Sequence, residues 1–430
     1  MECGVVRDRL FPPLCAVVAD SDPGCADACS QQLRDSDRWQ PGQPPGYFEA
    51  VLSKAIVAGA GIGGLATAIA LRRAGLEVQV LERVRELREI GAAVVVWPNG
   101  TRALRRLSVE PIWLAVKRLL LSRSDGRLLS ELPVAELLER HGSGMMMVHR
   151  AELHAALHAA LGDGCIRLSA EVTGFSQDDA GVTVQLANGA EERADLVIGA
   201  DGLRSAVRRQ LVGDGDPVYQ GFTAWRGEIP TGRLEMEAGT GRNWWGRGGE
   251  FLAFPLTDRR VYWAGTANAP RSARPGPAGH KQDVLDRFSG WDDLVLSIVN
   301  ATDPGAILRT DIYDRPNLRS WSVGRVTLLG DAAHPMTPSQ GQGACQALED
   351  AVALGRSLEE SRDVRDAFSA YERARLRRAN RVVTLSRQAS SSVQSESRLM
   401  CGLRNAGVRL LPQRVMRRIL DATFVEPAAN

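Results

Sequence analysis

The chain has 430 residues, 44% hydrophobic and 24% charged, enough for two or three packed domains around a large core. Lysine and arginine number 53 against 51 aspartate and glutamate, a net charge of +2 that argues against nucleic acid or any other polyanion held by bulk charge. Seven cysteines, with Cys165, Cys345 and Cys401 far apart, fit a reducing, cytoplasmic setting better than a disulfide scaffold, and no apolar run approaches the roughly 20 residues that cross a bilayer.

Residues 1–53 carry "SDPG" and "QPGQPPG" without a sustained period and read as a disordered leader. Its four cysteines, Cys3, Cys15, Cys25 and Cys29, have no histidine near them, so no metal site is expected. From Lys54 the pattern turns to strand, helix, strand: "AIVAGA", a helix from about Ile62 to Ala74 stopped by Gly75, then "EVQVLE". Gly59, Gly61 and Gly64 give G-x-G-x-x-G at the first turn. The spacing allows a tight turn, a close backbone approach to a pyrophosphate, and close packing of helix on strand. Glu82, at the end of the second strand and followed by Arg83, is placed to accept hydrogen bonds from ribose hydroxyls. A carboxylate there repels a 2'-phosphate, so FAD and NAD both fit, and the loop does not choose between them.

Strand signals recur in "ADLVIGADG" and "RVTLLGDAA", while residues 216–314 alternate and are rich in Trp and Tyr, as in "FLAFPL" and "RVYWAGT". After Gln340 the chain reads as helix to its end. The expected fold is mixed α/β. A Rossmann-like nucleotide domain (54–215 and 315–360) is interrupted by an antiparallel sheet (216–314) and followed by C-terminal helices (361–430). There is no second G-x-G-x-x-G: "GTGRNW" and "GQGACQ" both fail at the last position. The C-terminal stretch "CGLRNAGVRLLPQRVMRRILDATF" is basic and amphipathic, which suits either packing on the nucleotide domain or a membrane surface.

"DLVIGADGLRSAVR" and "RVTLLGDAAHPMTPSQGQGACQALEDAVAL", together with the glycine loop, resemble the single-component (class A) FAD-dependent monooxygenases, a family that includes para-hydroxybenzoate, salicylate and urate hydroxylases and zeaxanthin epoxidase. The resemblance spans about residues 54–425 and implies bound FAD with NADH or NADPH as a transient co-substrate. It implies that Asp331 binds the ribityl chain, that Asp201 serves FAD and the pyridine nucleotide, that Arg208 is a structural partner within the same motif, and that Arg150 lies against FAD. Gly91 and Val95 lie along the isoalloxazine and Val172 beside adenine. Gly341, Gln342, Gly343 and Ala344 turn backbone N–H groups toward negative charge on the reduced ring. Pro338 faces the substrate.

The implied chemistry is reaction of reduced flavin with O2 to a C4a-hydroperoxide that hydroxylates or epoxidises an electron-rich aromatic or polyene small molecule. No nucleophilic triad is needed, and His334 reads as a structural hydrogen-bonder. The sheet supplies Trp225, Arg226, Trp245, Glu250 and Tyr262 as substrate contacts, with Arg226 and Tyr262 at the reacting end. Tyr262 and Trp263 must point to opposite faces, and Tyr262 is the one expected in the pocket. Urate-hydroxylating relatives carry an arginine where this chain has Glu250, so a neutral or cationic substrate is expected. The rival reading is an FAD-dependent reductase or oxidase that inserts no oxygen.

Overall fold

The computed structural model describes residues 54–87, 93–234, 236–257, 259–276, 278–361 and 363–424. The expectations for residues 1–53 and for Gly91 lie outside them. β1 (Lys54–Ala58) is buried at four of its five residues, as its unbroken apolar run requires of a central parallel strand. α1 (Ile62–Arg73) follows the glycine loop, and β2 (Glu77–Leu81) returns parallel to β1. Next come β3 (Ala93–Val96), α2 (Pro98–Arg106), β4 (Leu114–Ala115), β5 (Arg118–Arg123), β6 (Leu128–Leu132), α3 (Ala135–His141), β7 (Met146–His149) and α4 (Arg150–Leu161). After β8 (Ile166–Arg167), an antiparallel ribbon of β9 (Val172–Gln177), β10 (Val182–Leu186) and β11 (Glu191–Ala194) leads into β12 (Leu196–Gly199). β12 lies parallel to β1 on the side away from β2, and α5 (Ala206–Val212) leaves it.

The second sheet is built from β13 (Val218–Pro230), β14 (Thr240–Trp245), β15 (Gly249–Pro255), β16 (Arg260–Asn268) and, after α6 (Gly279–Arg287) and α7 (Asp293–Ala301), β17 (Leu308–Asp314). Its order is β17-β13-β16-β15-β14-β5-β6, so residues 118–132 add two strands that a boundary at residue 216 leaves out. β5 pairs with β14 in parallel, the one departure from an antiparallel arrangement. The "LLL" run of β5 gives no sign of which sheet it will join.

The chain then closes the first sheet with β18 (Ser322–Val323) and β19 (Val326–Leu328), the latter parallel to β12. α8 (Gly343–Glu360) packs on α1, where Gly355 lies so close that a Cβ would stand 2.8 Å from the Ala70 Cβ. α9 (Val364–Val393), α10 (Arg398–Leu410) and α11 (Gln413–Phe424) complete the chain.

Strand alternation divides the second sheet into two faces. One carries Trp225, Trp244, Phe251 and Trp263, buried with Phe288 and Val284 of α6 and Ile298 of α7. The other carries Arg226 and Glu228 on β13, Glu250 on β15, and Tyr262 and Thr266 on β16. The register sets Glu228 opposite Tyr262 and Glu250 opposite Thr266.

Candidate active site

The glycine loop shows why three positions exclude or admit a side chain. A Cβ on Gly64 would stand 1.9 Å from the Gly59 carbonyl oxygen, and one on Gly59, at φ +101°, would stand 2.5 Å from the Ala200 oxygen. At Gly61 nothing lies within 4 Å. Backbone therefore fills two positions and open space meets the third, the geometry a pyrophosphate needs. α1 begins with no side-chain cap and no acidic residue in its first turn, which leaves its leading N–H groups and dipole for an anion. Ala60 is pinned from both sides. Its N–H donates to Glu82 Oε2 (2.7 Å), and His154 Nε2 donates to its carbonyl (2.7 Å). Glu82 thus positions the loop. Arg83 beside it is exposed, and Val172 is buried two residues after Ala170, whose N–H donates to the Glu82 carbonyl (2.8 Å).

The second and third signatures are joined by one side chain. Arg208 is fully buried; its Nε reaches Asp214 Oδ2 (2.8 Å), and its Nη1 reaches the carbonyls of Ala332 (3.1 Å) and Ala333 (2.9 Å). It ties α5 to the loop that holds Asp331. The Asp201 carboxylate caps α5, accepting from Ala206 N (2.7 Å) and Ser205 Oγ (2.5 Å). Asp331 differs. No hydrogen bond reaches it from the described residues, and its side chain is open to solvent although protein surrounds it on most sides. Desolvation pushes its carboxyl up, and the charges of His334 and Arg150, the first residue of α4, pull it back. An acid that takes no hydrogen bond from the described residues and is open on one side suits a polyhydroxyl chain.

Gly341, at φ +60°, meets β3: a Cβ there would stand 2.3 Å from Val95 Cγ1 and 3.2 Å from Trp97 Nε1. Gly343 opens α8 with its Cβ position 3.9 Å from Asp331 Oδ1. The Gln342 side chain is buried among Asn99 and Gln346, with Asn99 Nδ2 donating to its Oε1 (2.9 Å), so only its backbone is available to a ligand. Ala344 is half-buried behind it, and Pro338 is exposed at the start of the one-turn 3-10 helix Pro338–Gln340. Beneath these loops runs a buried charge network. Asp350 accepts from His334 Nε2 (2.5 Å) and Arg375 Nε (2.8 Å), and Glu349 pairs with Arg375 and with Arg378 Nε (3.0 Å). Burial pushes the Asp350 carboxyl up, but the His334 and Arg375 charges outweigh it and hold it below its ordinary value. His334 is therefore a member of this network, as its sequence context suggests.

The polar face of the second sheet is bridged to the cofactor side twice. His149 Nε2, next to Arg150, stands 3.1 Å from Glu228 Oε1. On the other flank Gln394 donates to Thr266 Oγ1 (2.7 Å), one turn after Ser390, whose hydroxyl meets that of Ser339 beside Pro338 (2.7 Å). Burial pushes the Tyr262 phenol up, while the hydrogen-bonded Arg226 guanidinium pulls it down, so the phenol keeps its proton at neutral pH. Glu250 is buried and raised to about 7 by desolvation, partly offset by the Asn243 amide (3.4 Å), the Trp245 indole and the Arg404 charge. Trp245 lies opposite Glu250 with Arg404 5.2 Å above its ring. Asn243 Oδ1 is buried without a hydrogen-bond partner.

Trp225 does not join this group, contrary to expectation. It is one residue out of phase with Arg226 and faces the apolar core, with Arg287 of α6 5.3 Å from its ring centre. A cavity of about 330 Å³ bordered by Trp225, Arg287 and Arg309 lies on that α6 side, away from the glycine loops. His154, Asn243, Asp350 and Arg375 are absent from the sequence-derived set. Asp350 falls within the "GQGACQALED" motif, but the others carry no local mark of a site.

A backbone cradle at a helix start, an acid at the end of the next strand and a polar sheet face are the features of a dinucleotide-binding fold with a second sheet beside it. The FAD binding domain family matches residues 53–220 and 308–386, passing over most of the second sheet. Aurachin C monooxygenase/isomerase of Stigmatella aurantiaca is 38% identical over 364 residues, 83% of this chain and 94% of the relative. FAD-dependent urate hydroxylase of Klebsiella pneumoniae is 34% identical over 344 residues, 78% and 89%. The crystal structure of Klebsiella pneumoniae HpxO with FAD and uric acid superposes with a TM-score of 0.82 at 30% identity, covering 88% of this chain and 98% of that one. The chain belongs to the FAD-binding-domain family and, within it, to the class A flavoprotein monooxygenases.

Proposed function

We propose that this monooxygenase inserts one oxygen atom from O2 into a neutral or cationic aromatic small molecule, with NADH or NADPH binding only long enough to deliver hydride. The supporting observation is an unsatisfied group on the polar sheet face. Asn243 Oδ1 is buried without a partner beside Glu250, an acceptor that a donor on a heteroatom-bearing ring would complete. An apolar polyene would leave it orphaned. A carboxyl group here also disfavours an anion, which separates this chain from relatives that act on urate.

The residues fit FAD as follows. Gly59, Gly61, Gly64 and the start of α1 would hold the pyrophosphate, Glu82 the ribose and Asp331 the ribityl chain. Val95, Arg150 and the N–H groups of Gly341 to Ala344 would border the ring. When bound, FAD supplies the reduction of dioxygen and the transfer of oxygen. The chain itself orients the substrate and excludes water. Tyr262, protonated and held by Arg226, donates a hydrogen bond to a substrate oxygen, and Pro338 closes the opposite side.

The test is a panel of neutral, cationic and anionic aromatics scored for stimulated NAD(P)H oxidation, peroxide release and product labelling under 18O2. Label in the product of a neutral or cationic ring, with little peroxide, supports the reading. Efficient labelling of urate overturns the substrate class, and oxidation without label for any ring favours a reductase or oxidase.

A further inference from the structure

The last two helices each turn an apolar stripe to solvent. At about 100° per residue, Leu399, Leu403, Ala406 and Leu410 fall within roughly 60° of arc on α10. Leu399 is 70% exposed, Leu403 59% and Leu410 78%. The opposite side of α10 is fixed to the protein: Cys401 is buried, with Sγ 3.2 Å from the Ser395 carbonyl, and Arg404 donates to the carbonyls of Gly246 (3.1 Å) and Ser392 (3.1 Å). The leucines therefore point directly away from the body. α11 repeats the arrangement, with Val415, Ile419 and Ala422 outward and Met416, Leu420 and Phe424 inward. Its inner side is held by Asp421 on Arg140 (2.5 Å) and Arg417 on Glu136 (2.7 Å).

Charge says what covers this face. Residues 397–424, across both helices, hold six arginines and a single acid, Asp421, which is paired inward with Arg140. Arg398, Arg409, Arg414 and Arg418 are exposed beside the stripes. In a two-fold contact with a second copy four exposed arginines from each chain would be brought together, with no exposed carboxylate on either helix to offset them. A partner must offer an apolar layer beneath a negative surface. Among the described residues no helix is long and apolar enough to cross a membrane, so the helices would lie on it.

We propose that α10 and α11 form the docking face for an anionic phospholipid bilayer, with the leucine stripe entering the acyl boundary and the arginines meeting phosphate. This stands apart from the substrate reading and would survive its failure.

The FAD-loaded full chain is floated with vesicles of phosphatidylcholine alone and of phosphatidylcholine mixed equally with phosphatidylglycerol. Flotation is expected with the anionic vesicles and lost in salt. The triple variant Leu399→Asp, Leu403→Asp, Leu410→Asp should no longer float while keeping its flavin absorbance, since all three side chains are exposed. Replacing Arg398, Arg409, Arg414 and Arg418 singly by Gln should weaken partition about fivefold each. Equal binding to neutral vesicles, a triple variant that floats like the parent, or no flotation at all overturns the proposal. So does a concentration-dependent dimer in analytical ultracentrifugation that the triple variant abolishes, which would assign the face to a second copy.

Discussion

Along the first sheet the site is set by backbone: Gly59 and Gly64 lie where another carbonyl already occupies the Cβ position, and the groups offered to a ligand are N–H donors. Along the second it is set by side chains on alternate residues, so that Arg226 faces the site and Trp225, next to it, faces the core. A methyl group is enough to destroy the first kind of site. The second kind tolerates changes of size and is destroyed by a shift of one residue.

That contrast can be broken or sharpened by substitution. The largest effect is expected from Gly64→Ala, whose Cβ would collide at 1.9 Å with an oxygen that cannot move. The folded protein should purify without flavin absorbance, and a yellow variant would show that the loop is less rigid than its geometry demands. Next comes Arg375→Ala, which leaves Asp350 and Glu349 buried without their main cation. A loss of about 3–5 kcal/mol in urea unfolding is expected.

Glu250→Gln tests the second sheet through pH. The Glu250 carboxyl is raised from 4.5 to about 7, so between those values the folded protein holds a proton that the unfolded chain has released. Stability therefore falls as pH rises from 4.5 to 7 and is level above. Gln removes this dependence, and relative to the parent the variant should gain on the order of 3 kcal/mol at pH 8 compared with pH 4.5. A parallel pair of stability curves would place Glu250 in water. The smallest effects form a matched pair. Tyr262→Phe should raise peroxide release and lower coupled turnover about fivefold to tenfold. Trp225→Phe should change turnover by less than about twofold while costing about 1 kcal/mol in stability. Equal kinetic losses from both would erase the distinction between the faces.

The same contrast explains what the sequence could reveal. The glycine loop, Glu82 and the two later acids are legible because the features that identify them are close in the chain, and the structure gathers them around one loop system. Alternation was enough to separate Tyr262 from Trp263. The same parity puts Trp225 in the core and Arg226 on the polar face, although the aromatic ring alone suggests a substrate contact. Arg208 linking two signatures, His154 holding the Ala60 carbonyl, and Asn243 beneath Glu250 are contacts across 124, 94 and 7 residues. Only the fold creates them. The two strands at 118–132 were missed for a related reason, since a short apolar run does not encode its partner.

Trp97, which borders Gly341, is itself covered by Phe424, whose ring lies flat on it at 3.7 Å in the final turn of α11. The turn at Gly341 is thus backed by a helix remote from it in sequence. If the flavin lies there as proposed, pigment capture should require α11 in place, and a chain cut ahead of residue 413 should stay colourless in the presence of flavin.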